Sequence, residues 1–307
     1  MFSKLKWHEG KKWEHFLNLY DEIAKPPMFE QSKLIPTKFG DTQVHTSGNS
    51  SNPPLVFLHG IATCSIMWGD WIFPTLAKDY YCIAIDTMGD LGRSIPKDGD
   101  PENGIHNEEE AAEWLLEVLD GLSSVVNQPV NMIGHSFGCY LSTCFARKYP
   151  ERVNKIVLTA PACVVAPISK WWLFQAITFG ITSRLVSRGS MVEGALRKWF
   201  FSTMIVNYED IQNLKHLEFL NASQDLDGPQ VKLQPSQLDI ETLTKMNETC
   251  PTLLIIGQQE SVIDPKVAVA NAKQAKIKVV EYENASHMFY IEHPRDQSID
   301  DIKNFLS

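Results

Sequence analysis

An α/β fold with a mostly parallel central sheet is predicted by three features of this 307-residue sequence. Six short apolar runs recur along the chain with helical segments between most of them, the order that builds a parallel sheet with helices on its faces. The runs are continuous in Val, Ile and Leu instead of alternating with polar residues, which marks strands buried on both faces. One run, in NMIGHSFGCY (131–140), breaks at a Gly-His-Ser-Phe-Gly corner and turns at once into another apolar segment. The G-x-S-x-G pattern from Gly134 to Gly138 belongs to a sharp strand-to-helix turn.

Taken in order, the first ~30 residues read as an amphipathic helix, with Trp13, Phe16, Leu17 and Tyr20 at helical spacing and a stop at Pro26-Pro27. Strands are expected in PPLVFLHG (53–60), YYCIAID (80–86), VNMIGHS (130–136), NKIVLTAPA (154–162), TLLIIG (252–257) and IKVVEY (277–282). In EEEAAEWLLEVLDGL, Ala111, Leu115, Val118, Leu119 and Leu122 line one helical face. The helix after the serine corner runs through FGCYLSTCFARKYP to a stop at Pro150.

Between Cys163 and about Gln237 the alternation fails, and aromatic-rich helical stretches appear in WWLFQAITFGI (171–181) and ALRKWFFSTMIV (195–206). An inserted helical cap over the C-terminal edge of the sheet explains them. The expected organisation is an N-terminal helical segment (1–30), a core formed by 31–162 with 238–307, and a cap (163–237).

The composition excludes several classes. At 44% hydrophobic and 21% charged the chain is ordinary globular protein. Its formal charge of −9 argues against nucleic acid and anionic membrane surfaces, both of which select basic patches. The first residues lack the apolar core of a secretory signal, and no apolar stretch reaches the ~18 residues of a spanning helix. The six cysteines, Cys64, Cys82, Cys139, Cys144, Cys163 and Cys250, lack CxxC spacing and sit among apolar neighbours, as buried free thiols of a reducing compartment do. The expectation is a cytoplasmic protein without metal or cofactor.

A serine hydroxyl is a poor nucleophile until a neighbouring base takes its proton. In this architecture the partners follow in the order serine, acid, histidine. His287, in NASHMFYIEHP just past the last expected strand, is the candidate base. His293, before Pro294 at the start of the terminal helix, reads as structural. Two carboxylates compete for the acid in QQESVIDPKV. Asp264 stands before Pro265 and a helical run, the pattern of an N-cap, and that role accounts for it. Glu260, three residues past Gly257, has no such use and is favoured, with Asp264 left as the alternative. Backbone N–H groups of Phe137, after the serine, and Ile61, in HGIATCS, are the candidate oxyanion donors. His59 and His135 read as framework residues of their turns.

With HG at 59–60, DTMGDLGRSIP at 86–96, GHSFG at 134–138, GQQESVIDP at 257–265 and NASHMFYIEHP at 284–294, the chain resembles the α/β-hydrolase superfamily. More narrowly, TKFGDTQVHTSG, PPLVFLHG and GDLGRSIP resemble bacterial carboxylesterases of the naproxen-esterase type. The resemblance implies Ser136 as nucleophile, His287 as base, an acid on the Gln258–Asp264 loop, and Ile61 with Phe137 as oxyanion donors. Two features depart from it. DTMGDLGRS has one residue more between its glycines than the usual D-x-x-G-x-G-x-S, and the position of Glu260 more often holds Asp.

The chemistry so implied is ester hydrolysis through an acyl-enzyme, with Trp68 and the cap aromatics lining an apolar pocket for a small apolar ester. Thioesterase, lipase, C–C hydrolase, acyltransferase and haloperoxidase reactions use the same triad, and a slow-turnover ligand receptor is a further alternative. Haloalkane dehalogenases and epoxide hydrolases, which carry an aspartate where Ser136 stands, are set aside.

Overall fold

The computed structural model describes residues 10–186, 190–206, 218–219, 221–223, 225–226, 228–289 and 295–307. The expected strands become β3 (Pro54–Leu58), β4 (Tyr81–Ile85), β6 (Val130–His135), β7 (Val153–Thr159), β8 (Thr252–Gly257) and β9 (Lys278–Tyr282). These six pair in parallel in the order β4-β3-β6-β7-β8-β9. Three further strands extend the sheet: β1 (Gln31–Thr37) and β2 (Gly40–Ser47), an antiparallel pair that joins β4 through β2, and the two-residue β5 (Ile95–Pro96) beside β2.

Period-two geometry divides each central strand between two cores. Val56 and Leu58 of β3, with Met132, Ile156, Leu158, Leu254 and Ile256, belong to one. It is covered by α3 (Glu108–Asp120), α4 (Phe137–Lys148), α7 (Ile240–Thr249) and α8 (Pro265–Gln274) through side chains such as Trp114, Tyr140, Leu243 and Val269. Leu55, Phe57, Ile133, Val157, Leu253 and Ile255 face the other core, where α1 (Lys11–Ile23), α2 (Gly69–Leu76) and α9 (Arg295–Leu306) contribute Phe16, Phe73 and Ile302. Each fully buried side chain of this size contributes roughly 1.5–3 kcal/mol, which makes the sheet a rigid platform for whatever its edge carries.

The 163–237 segment contains, among the described residues, α5 (Lys170–Leu185) and α6 (Met191–Ser202), and no strand beyond isolated bridges. The two helices meet where Phe200 stacks on Phe179 at 4.4 Å and Trp172 tilts against Phe200 at 6.1 Å. The outer face of α5 is apolar and exposed: Trp171, Phe174, Ile177, Ile181 and Leu185 are between 54% and 80% accessible. Trp171 and Phe174 therefore face solvent instead of lining a pocket. Trp68 also differs from the sequence-based expectation, since it is buried edge-on against Phe57 in the core at 5.3 Å.

Candidate active site

The C-terminal ends of the parallel strands are brought level by their register, with Leu58 opposite Gly134 and His135 opposite Thr159. The sequence candidates lie along this edge. Ser136 follows β6 and precedes α4 with φ 50° and ψ −112°, a conformation few non-glycine residues adopt. The surroundings enforce it. The Ser136 N–H donates to Thr159 O at 3.0 Å, and the Cys139 N–H donates back to Ser136 O at 3.1 Å. Both flanking glycines are required by close approach. A Cβ on Gly138 would stand 1.9 Å from Leu58 O, and one on Gly134 would stand 2.5 Å from Cys139 N.

Glu260 lies on the loop leaving β8, and His287 on the loop leaving β9. The two loops are tied by Gln259 N–H donating to Ala285 O at 3.0 Å, and a Cβ on Gly257 would meet Ala285 O at 2.1 Å. The Glu260 side chain is completely buried, and its oxygens sit 3.0 and 2.9 Å from His287 Nδ1. Oε1 also accepts the Val262 N–H at 2.7 Å, which fixes the carboxylate. Across the ring, His287 Nε2 stands 3.0 Å from Ser136 Oγ. A carboxylate only accepts, so Nδ1 carries the proton and the Nε2 lone pair faces the serine hydroxyl. Ser136, His287 and Glu260 thus form one unbroken hydrogen-bonded row, burying all but a small fraction of each.

Asp264, the alternative acid, is used elsewhere. Its Oδ1 accepts the N–H groups of Lys266 and Val267 at 2.9 and 3.3 Å and caps α8.

Gly60 presses on the serine corner: a Cβ there would lie 3.3 Å from Ser136 Cβ and 3.1 Å from the His135 ring. Ile61, next in line, exposes its side chain, while Phe137 is buried as the first residue of α4. The first N–H groups of a helix have no partner within it, so the Phe137 amide is available at the positive end of the α4 dipole.

The framework histidines have distinct uses. His59 Nε2 accepts the Thr87 N–H at 2.8 Å, so its Nδ1 donates to Gly60 O, also at 2.8 Å. Thr159 donates its hydroxyl proton to Gly134 O, so His135 Nδ1 donates to Thr159 Oγ1 at 3.2 Å. The His135 ring centre lies 5.1 Å from that of His287. Burial and then the neighbouring His287 drive the His135 pKa well below the ordinary histidine value, so it stays neutral beside the candidate base. Among the described residues, no three or more His, Cys, Asp or Glu side chains are arranged to hold a metal ion.

Sequence reasoning passed over a second acidic node. Asp86 is buried and accepts from the Ser65 N–H (2.8 Å), Ser65 hydroxyl (2.6 Å), Arg93 N–H (2.8 Å) and Tyr20 hydroxyl (2.7 Å). It joins α1 to the loop after β4. The leading Asp of DTMGDLGRS was the available signal for it.

Comparison with known proteins agrees with this architecture. The α/β hydrolase fold family model matches residues 53–294. A protein of Bacillus subtilis (strain 168) named as the uncharacterized carboxylesterase nap is 29% identical over 285 residues, covering 91% of this chain and 88% of its own. Carboxylesterase YbfK of the same strain is 24% identical over 293 residues, covering 91% and 89%. Among solved structures, the naproxen esterase (carboxylesterase NP) of Bacillus subtilis superimposes with a TM-score of 0.81 at 26% identity, covering 97% of this chain and 99% of that one. With the family model spanning most of its length and the sheet order and helical layers above, the chain belongs to the α/β hydrolase fold family.

Proposed function

We propose that the protein is a carboxylic ester hydrolase that works through an acyl-enzyme on Ser136. The hydrogen-bonded row Ser136 Oγ–His287 Nε2, His287 Nδ1–Glu260 carries this reading. Relatives named carboxylesterase at 24–29% identity over most of the chain support it. His287 takes the Ser136 proton as Oγ attacks the ester carbonyl, and Glu260 steadies the imidazolium that forms. The alkoxide is held by the Ile61 and Phe137 N–H groups, each worth about 3–4 kcal/mol to the transition state. His287 then protonates the leaving alcohol, and water attacks the acyl-enzyme with the same base. The substrate is a small apolar ester received under a cap formed by 163–237. The free, buried cysteines support a reducing, cytoplasmic setting.

The test is turnover of p-nitrophenyl butyrate. Steady hydrolysis is expected, abolished in Ser136→Ala together with labelling by a fluorophosphonate. A single stoichiometric burst would instead favour a slow-turnover receptor.

A second reading draws support from the exposed apolar face of α5, which suits a lid that settles on a lipid interface. Activity that rises above the critical micelle concentration of a long-chain ester would favour this lipase-like use. A smooth saturation curve through that concentration would favour the esterase.

A further inference from the structure

The loop after β4 is where the chain departs from its family pattern, and Asp90 lies in the lengthened stretch between Gly89 and Gly92. Asp90 is completely buried. Its Oδ1 accepts the Leu91 N–H at 2.8 Å and the Ala62 N–H at 3.0 Å, with Oδ2 3.2 Å from the same Ala62 nitrogen. A side chain on the β4 loop therefore grips the backbone of the loop leaving β3. Ala62 is held at φ 61°, in the left-handed region that alanine avoids unless its surroundings impose it.

What lies on either side gives this grip its meaning. Ile61, directly before Ala62, is the proposed oxyanion donor, and Gly60 before it packs on Ser136. At the other end, His59 Nε2 accepts the Thr87 N–H at 2.8 Å. The Gly60–Ile61 pair is thus clamped at both ends to one loop, through His59–Thr87 and Ala62–Asp90. An oxyanion donor works only when its direction is set before charge develops.

We propose that Asp90 is a positioning residue for the oxyanion site, holding the Ala62 peptide so that the Ile61 N–H points at the alkoxide formed on Ser136; this rests on the roles given above to Ser136 and Ile61. An aspartate suits the task because one short side chain accepts from two amides at once. Burial raises its pKa well above the usual carboxylate range, against the partial pull of the Leu91 and Ala62 amides. Because Oδ1 alone accepts both amides, asparagine, of the same shape, keeps an oxygen for both N–H groups.

The test compares Asp90→Ala with Asp90→Asn, with rates expressed per active site titrated by fluorophosphonate. Asp90→Ala is expected to lower kcat for p-nitrophenyl butyrate by about 10- to 100-fold with KM within about twofold of wild type. Its affinity for a trifluoromethyl ketone, which binds as a tetrahedral adduct, should weaken by the same factor as kcat. Asp90→Asn should retain kcat and ketone affinity within about threefold. Unchanged kcat in Asp90→Ala, a loss confined to KM, or Asp90→Asn as impaired as Asp90→Ala overturns the proposal. Should Asp90→Ala not fold, Asp90→Ser takes its place, since one hydroxyl reaches at most one of the two amides. Asp90→Ser is then expected below Asp90→Asn in kcat, and equality overturns the role. A wild-type protein left unlabelled at Ser136 overturns the nucleophile assignment and this role with it. Labelling at Ser136 with an indifferent Asp90 overturns this role alone.

Discussion

At the scale of single residues, two carboxylates four positions apart are separated by what their oxygens touch. Both oxygens of Glu260 face the proton-bearing nitrogen of His287, whereas Asp264 spends its oxygen on the first amides of α8. In Glu260→Gln the amide nitrogen, a donor, competes for Nδ1 and favours the tautomer with its proton on Nε2, where it cannot receive the serine proton. The expected result is a loss of kcat by up to about 10⁴-fold, the size seen for the comparable change in a serine protease triad. Asp264→Ala should cost about 1 kcal/mol of stability through the lost cap and leave kcat per folded molecule unchanged. Steady-state kinetics beside urea unfolding of both variants separates the outcomes. A kcat that collapses in Asp264→Ala while Glu260→Gln stays active would reverse the assignment of the acid.

At the scale of elements, the serine corner depends on how closely α4 can approach β3. A Cβ at Gly138 meets the main chain of Leu58 and His59, which cannot move without carrying the 59–61 loop along. Gly138→Ala is expected to cost about 3 kcal/mol or more, a fall in Tm on the order of 5–10 °C, and most of the activity. Gly180, in α5 with nothing within 4 Å of its would-be Cβ, is the control. There alanine should be neutral or stabilising by up to about 1 kcal/mol. Differential scanning calorimetry of the two variants makes the comparison; a Gly138→Ala protein that melts with wild type would refute the close-approach argument.

The same packing explains what the sequence disclosed at this scale. Four of the six parallel strands, β3, β4, β6 and β8, are buried along their whole length, so solvent imposes no alternation and their apolar runs stand out. β2, GDTQVHTS, is nearly as buried but polar. Its side chains are satisfied by elements remote in sequence, as when the Trp114 indole donates to Thr42 Oγ1 or Ser32 and Tyr20 bond the His45 ring. No local pattern discloses such partners. α2 was hidden by Pro74 within it. The candidate site was legible because chain order alone ties a G-x-S-x-G serine to a later acid and histidine. Asp90 was not, because its partner Ala62 lies on another loop and only the loop's extra residue drew notice.

At the scale of the whole molecule, buried titratable groups set the pH range in which the fold is stable. Burial lowers the pKa values of His45, His59 and His135. The unfolded chain therefore binds protons at these sites first, so their contribution is complete above about pH 6.5 and is lost as pH falls below it, at about 1.4 kcal/mol per pH unit for each histidine. Asp90 has the opposite sign. Its raised folded pKa means that the native state keeps a proton which the unfolded chain releases above about pH 4, so its contribution falls as pH rises from there toward the folded pKa. Three histidines against one carboxyl leave stability rising with pH on the acid side. On the alkaline side, burial raises the thiols of Cys64, Cys82 and Cys139, and that of Cys144 to about 12. The unfolded chain ionises them from about pH 8.5, and stability falls as pH rises, by about 5 kcal/mol per pH unit where all four unfolded thiols are ionised. Stability should therefore be greatest between about pH 6.5 and 8.5, with the steeper edge on the alkaline side. Urea midpoints from pH 5 to 10, under reducing conditions, measure it. An alkaline edge no steeper than the acid one would mean that the thiols ionise in the native state, and that the core around β4 and α4 is more open to water than its packing implies.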